Sequence, residues 1–432
     1  MNNKVRVWIV SLCAAAVVVV VALSVVLGLV VSNRVNSASG KPQQGSGDGQ
    51  TVQRPGYQDD SSVADAAPVK EQPTPRVNYK SGPVIQACNL LSLADLAALG
   101  VRVDARPDPN VVNFQREYLA ADGTGPLTTN SQNFSHAGTL ALNKCNYGLL
   151  GPDGGTNDYL AVAVSQPNYI PGAGTGFDKY PAQQTVGSVK AYTQRRPGGN
   201  TADASGESIM VLGKNVVSFD FTLTAGGYAP KLHVLAVRVA ENLEKQAAAP
   251  TGPSTIGYQS PVFPKQVLQP CPLLTPAAVG SAIGAKVSPL VAEMPGTAIG
   301  AVRFPNVDQT YNYGRLECER GTGTDDPLSR KGLSLTVTSY LSDDGAKKHV
   351  ENTAGAHGGR PAAAPVGDES QIMTDASSVA SNGVLIFRKG RFVFELQLAD
   401  HDGHPNGITV EEANASLVPA AQNILQNVGN QA

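Results

Sequence analysis

Apolar and polar residues alternate along "YLAVAVS" at 159–165, which puts Leu160, Val162 and Val164 on one side. They alternate again along "LSLTVTSY" at 333–340, which puts Leu333, Leu335 and Val337 on one side. A period of two predicts a strand with one buried face in each place. A hairpin pattern follows each strand: "IMVLGKNVVSFDFTL" at 209–223 and "VLIFRKGRFVFELQL" at 384–398. The two align without a gap, matching Phe219 with Phe394 and Asp220 with Glu395. Turns are predicted at Lys214-Asn215 and Lys389-Gly390, because Asn and Gly tolerate positive φ.

Helical signals flank these strands. "VIQACNLLS" at 84–92 and "VLQPCPLLT" at 267–275 each lead into a short helix. Ser92 with Asp95 three residues on approximates a capping box. Thr275 precedes Pro276, whose missing N–H does no harm at a first helical position. Gly100 and Gly284 supply the stops. Each unit closes on a longer helix, within 230–246 and 411–428, and Leu232, Leu235, Val239 and Leu243 form the apolar stripe of the first. Pro419 is expected to kink or delay the second. Ser342 ahead of Asp343 and Asp344 reads as a helix N-cap with acids in the first turn.

The same order of features therefore occurs twice. The predicted fold class is α+β: two tandem homologous domains, each an antiparallel sheet with helices on one face, plus an N-terminal transmembrane helix. Residues 1–7 form a short cytoplasmic tail and 8–31 the spanning helix. The segment 32–83 is a disordered linker and 84–246 the first domain. An interdomain linker at 247–266 precedes the second domain at 267–430.

The spanning helix rests on "WIVSLCAAAVVVVVALSVVLGLVV", which carries no charge and is long enough to cross a hydrocarbon core. Lys4 and Arg6 before it against Arg34 after it favour a cytoplasmic N-terminus. A cleaved signal peptide would have a shorter core and a small-residue cleavage site. A lipid anchor on Cys13 would put the cysteine at the end of the apolar run, not near its start. The following tether, rich in Ser, Gly, Pro and Gln, has a coil dimension on the order of 40 Å.

Four cysteines remain, two per unit at equivalent places. Four cysteines allow three pairings. The repeat selects Cys88 with Cys145 and Cys271 with Cys318. An exported chain meets oxidising conditions that keep such bonds. A zinc site is the rival reading, and it lacks CxxC spacing or nearby histidines.

Other chemistry is sparse. "ADHDGHPNG" at 399–407 brings His401, Asp402 and His404 together beside Asp400 as candidate metal ligands, but Gly403, Pro405 and Gly407 make a solvated polar turn the preferred reading. "GAGTG" at 172–176 lacks the strand-then-helix context of a phosphate loop. "TQRRPGGN" at 193–200 is a small basic loop. No cofactor motif and no catalytic triad signature stands out. The net charge of -2 gives no reason to expect nucleic acid as a partner.

The pattern C-x-L-L-[ST], a helix ending in Leu-Gly, then a second cysteine and a Val-rich alternating strand, resembles a known group. These are the cysteine-paired extracytoplasmic domains of unknown function on actinobacterial cell-envelope lipoproteins. It is more distantly similar to the external sensor domains of mycobacterial membrane kinases. The resemblance spans roughly 84–246 and 267–430. This chain departs from the group in its spanning helix and its two copies. The resemblance implies a location and a binding or sensing style, with no catalytic residues to carry over. The expectation is a non-enzymatic binding or adaptor protein, anchored in the plasma membrane, with most of the chain extracytoplasmic. Its partners would be an envelope protein, lipid or glycan. The alternatives are an envelope enzyme, such as a metal-assisted hydrolase using the 400–404 loop, and a structural component of a cell-wall or division assembly.

Overall fold

The computed structural model describes residues 58–59, 68–80, 82–104, 114–122, 143–151, 158–166, 182–196, 203–258, 262–284, 286–322, 331–374, 383–400 and 408–429. All of them belong to one unit, Arg54–Ala432. The apolar stretch at 8–31 lies outside the described residues. Among the described residues, no helix is long and apolar enough to cross a membrane.

Four short strands come first: β1 (Gln58–Asp59), β2 (Pro68–Gln72), β3 (Asn78–Tyr79) and β4 (Gly82–Pro83). Helix α1 (Leu93–Ala98) follows. Then come β5 (Gln115–Leu119), β6 (Asn143–Leu149), β7 (Asp158–Ser165) and β8 (Ala182–Val186). Strands β9 (Val189–Arg195), β10 (Ala204–Leu212) and β11 (Asn215–Leu223) lead into α2 (Leu232–Ala248). A short β12 (Thr255–Tyr258) precedes α3 (Pro276–Ile283). The second series is β13 (Val287–Arg303), β14 (Thr310–Thr322), β15 (Lys331–Tyr340) and α4 (Asp343–Ala356). It ends with β16 (Arg360–Pro361), β17 (Glu369–Met373), β18 (Val384–Lys389), β19 (Phe392–Asp400) and α5 (Val410–Val428).

One large antiparallel sheet contains fifteen of these strands, so the architecture is mixed α+β. Its order is β16-β17-β18-β19-β15-β14-β13-β5-β6-β7-β11-β10-β9-β8, with β1 added beside β13. From the centre outward the two halves have the same order. One runs β5-β6-β7-β11-β10-β9-β8 and the other β13-β14-β15-β19-β18-β17-β16. They meet where β5 pairs antiparallel with β13.

Local chemistry explains the helix ends. Ser92 accepts from the Asp95 N–H while the Asp95 carboxylate accepts from the Ser92 N–H, a complete capping box. Thr409 and Glu412 form the same box at α5. Thr275 caps α3 with Pro276 in its first turn, and the Ser342 hydroxyl accepts from Gly345 N–H at α4. Helix α5 runs through Pro419 without a break, contrary to the expected interruption. Its buried residues Leu417, Val418, Ala420, Ala421 and Ile424 hold it on the sheet from both sides of the proline, and burial of that stripe outweighs the lost backbone bond.

The cysteine sulfurs stand at bonding distance as the repeat predicts: 2.14 Å for Cys88–Cys145 and 2.19 Å for Cys271–Cys318. Each bond ties the turn before a short helix to the second strand of its half. Leu160, Val162 and Val164 lie in the core with α1 and α2. Leu333, Leu335 and Val337 lie in the core with α3 and α5.

Three expectations are corrected. The hairpin turns fall at Gly213-Lys214 and Gly390-Arg391, because Leu212 pairs with Asn215 and Lys389 with Phe392. Gly213 has φ 60° and Gly390 φ 55°, so the turn glycines, not the gapless alignment, set the register. Phe219 lies opposite Val162, the partner of Cys145, and Leu396 lies opposite Leu335, the partner of Cys318. Phe219 is therefore equivalent to Leu396, and Asp220 to Gln397. A slip of two residues leaves every side chain on its original face, which hides it from a hydrophobic pattern.

Helices do not all share one face. Tyr340, Ile386 and Val393 pack with Ala346 and Val350 of α4 in a separate core, opposite the α3 and α5 side. The tether expectation also ends early. Glu71 and Gln72 of β2 pair with Ile256 and Thr255 of β12, so two segments read as linkers form a ladder. Ile256, Tyr258, Phe263 and Val267 are buried in the first half's core. Short segments broken by Pro and Gly carry no period from which such docking can be read.

Two stability measurements probe the disulfide and the turn. Replacing Cys88 and Cys145 together with alanine is expected to cost about 4 kcal/mol in the chain-entropy model, read from the urea midpoint. Gly213→Ala is expected to cost about 1 kcal/mol by the same measurement, although an added Cβ there meets nothing within 4 Å. An unchanged midpoint would contradict the turn assignment.

Candidate functional site

Directly opposed residues on neighbouring strands share a face. One row crosses the whole centre of the sheet: Val162, Cys145, Arg116, Glu293, Cys318, Leu335 and Leu396. This row faces α1, α2, α3 and α5. In its middle, between the two disulfides, sits a charged pair.

Arg116 Nη2 donates to Glu293 Oε2 at 2.6 Å, with the side chains only 5% and 2% exposed. Arg116 Nη1 donates to the Ser254 carbonyl, and the guanidinium lies 4.9 Å from the centre of the Tyr118 ring. Burial lowers the pKa of the guanidinium, but the Glu293 carboxylate beside it outweighs that effect and pushes it upward. Tyr118 and Tyr258 have hydroxyl pKa values pushed upward, first by burial and then by Glu293, so both stay neutral. Among the described residues, Arg116 Nε, Glu293 Oε1 and Tyr258 OH have no hydrogen-bond partner. The site is a sealed ion pair with spare polar capacity, suited to holding structure and not to proton transfer.

A second polar cluster lies under α4. His349 Nδ1 is 3.1 Å from Tyr340 OH, and His349 Nε2 is 3.4 Å from Glu395 Oε1. The geometry suits a ring that carries its proton on Nε2 and accepts from the tyrosine. On the same face, Ser334 donates to Glu317 at 3.0 Å, and burial raises the Glu317 carboxyl above its usual range. The relay resembles an activated hydroxyl, but Tyr340 has no exposed surface and His349 only 2%.

The first half answers with other residues. Ser218 occupies the position of Glu395 and donates to Glu207 at 2.5 Å and to Asp220 at 3.3 Å. A common frame thus carries different polar groups on its second face.

The residues singled out from sequence divide cleanly. Cys88, Cys145, Cys271 and Cys318 are brought together in pairs. His401, Asp402 and His404 lie outside the described residues, as does the 172–176 loop. Of the basic loop, Arg196 stands 3.8 Å from Asp220. Among the described residues, no group of three or more His, Cys, Asp or Glu is placed to hold a metal. Arg116 and Glu293 were not legible as partners. Each is one charge inside a strand, and only the pairing of β5 with β13 shows that both point inward.

Comparison with protein-family models, with curated proteins and with solved structures finds no match.

Removing one member of the central pair is the direct test of its role. Arg116→Met is expected to cost about 3–5 kcal/mol, because it leaves a buried carboxylate uncompensated. The double replacement Arg116→Met with Glu293→Met is expected to restore most of that loss. Chemical unfolding of the three proteins measures both effects.

Proposed function

We propose that this chain is a non-enzymatic binding or adaptor protein of the bacterial cell envelope, held to the plasma membrane by its apolar N-terminal segment and displayed on the outer side. The observation that carries the reading is the pair of equivalent disulfides, one in each half. Two such bonds closing loops within separate halves fit a chain that matures under oxidising conditions. The uncharged stretch at 8–31 supports an anchor.

Binding is favoured over chemistry by how the halves differ. They keep one strand order and one disulfide position, which preserves the scaffold. They differ on the face away from the disulfides. There the second half packs α4 over Tyr340, Ile386 and Val393 and encloses the His349–Glu395 contact, while the first buries Glu207 and Ser218 beside the partly exposed Asp220. Duplicated frames with diverged faces suit recognition of two different envelope partners, or of two parts of one.

Two measurements on cells test the reading. Protease added to intact spheroplasts is expected to degrade the folded part without lysis; protection until detergent is added would end the extracytoplasmic assignment. A photo-crosslinking residue at the exposed position Gln194, beside Glu207 across the β9–β10 ladder, is expected to capture a defined envelope component.

A further inference from the structure

The halves meet where equivalent residues face each other. Arg116 lies opposite Cys145, and Glu293 lies opposite Cys318, so the two occupy the same position in their respective halves. They also lie directly opposite one another across β5 and β13. Antiparallel pairing of equivalent strands places an approximate two-fold axis between them, perpendicular to the sheet.

An interface of this symmetry is self-complementary. The backbone edge of β5 that accepts β13 has the hydrogen-bonding pattern to accept β5 of another chain, and the same holds for β13 with β13. The residues on the axis differ in charge. If β5 met β5, Arg116 would face Arg116; if β13 met β13, Glu293 would face Glu293. Each puts like charges in contact where water is excluded. Only β5 against β13 joins opposite signs, at 2.6 Å and almost fully buried.

We propose that the seam is an interface that fits a second copy of this chain, half against equivalent half, and that the Arg116–Glu293 asymmetry commits it to pairing within one chain. The ion pair acts here as a specificity device, the best-attested use of buried charge. The inference rests on strand register and stands apart from the binding reading.

Differently tagged full-length chains expressed together provide the test, with co-purification of one tag through the other as the readout. Wild-type chains are expected to give only background. An Arg116→Glu chain carries glutamate at both axis positions, and a Glu293→Arg chain carries arginine at both. Together they pair glutamate with arginine at two like-with-like seams, so co-purification is expected to rise at least tenfold over wild type. Neither variant alone is expected to do this. Both substitutions in one chain are expected to restore wild-type solubility and the wild-type background. If that doubly substituted chain folds while the mixed pair gives only background, the seam does not accept a second copy. If the doubly substituted chain fails to fold, charge complementarity is not what governs the seam.

Discussion

Everything in this molecule is arranged about one antiparallel contact, β5 against β13, and about the ion pair buried in it. Without that contact there would be a seven-stranded sheet ending at β5 and an eight-stranded one in which β1 covers only one end of the β13 edge. With it there is one sheet, and two cores lie on the same side of it. The contact is short, four opposed residue pairs from Arg116–Glu293 to Leu119–Leu290. A short ladder between long edges is weak in register unless something pins it. Opposed charges out of water pin it well, because a shift of one residue would strand both.

The disulfides act one strand away on either side. Cys145 and Cys318 flank the pair in the same row, and each is bonded to the turn that starts a short helix. They constrain each half separately and say nothing about how halves join. The two halves satisfy the same carbonyl before that helix by different means. Tyr147 OH donates to the Leu91 carbonyl in the first; in the second, Arg320 Nη1 reaches the Leu274 carbonyl at 3.4 Å. Arg320 also holds Asp122 of the first half at 2.7 Å, so one side chain serves both helix and seam. Similar divergence shows on the second face, where Ser218 stands in the place of Glu395. The frame tolerates these exchanges because a sheet position needs only a side chain of the right size and a satisfied polar group.

The periods, caps and cysteines of the chain were enough to determine a mixed α+β fold in which the same order of elements occurs twice. Strands at 158–165 and 331–340, capped helices after Ser92 and Thr275, and the cysteine pairing are all legible in the amino-acid sequence alone. These are local signals: a period of two, a capping side chain, a duplicated spacing. Register, faces and junction came only from the tertiary structure. The hairpin slipped by two residues against the gapless alignment because a two-residue shift leaves the inward pattern unchanged. Helix α4 lies on the face opposite α3 and α5 because Val384 and Ile386 alternate with the equally apolar Leu385 and Phe387, so β18 is apolar on both sides. Arg116 and Glu293 are 177 residues apart, and no local rule joins them. Their pairing depends on two strand edges meeting in three dimensions, where burial turns two ordinary surface residue types into the one contact that must be made correctly.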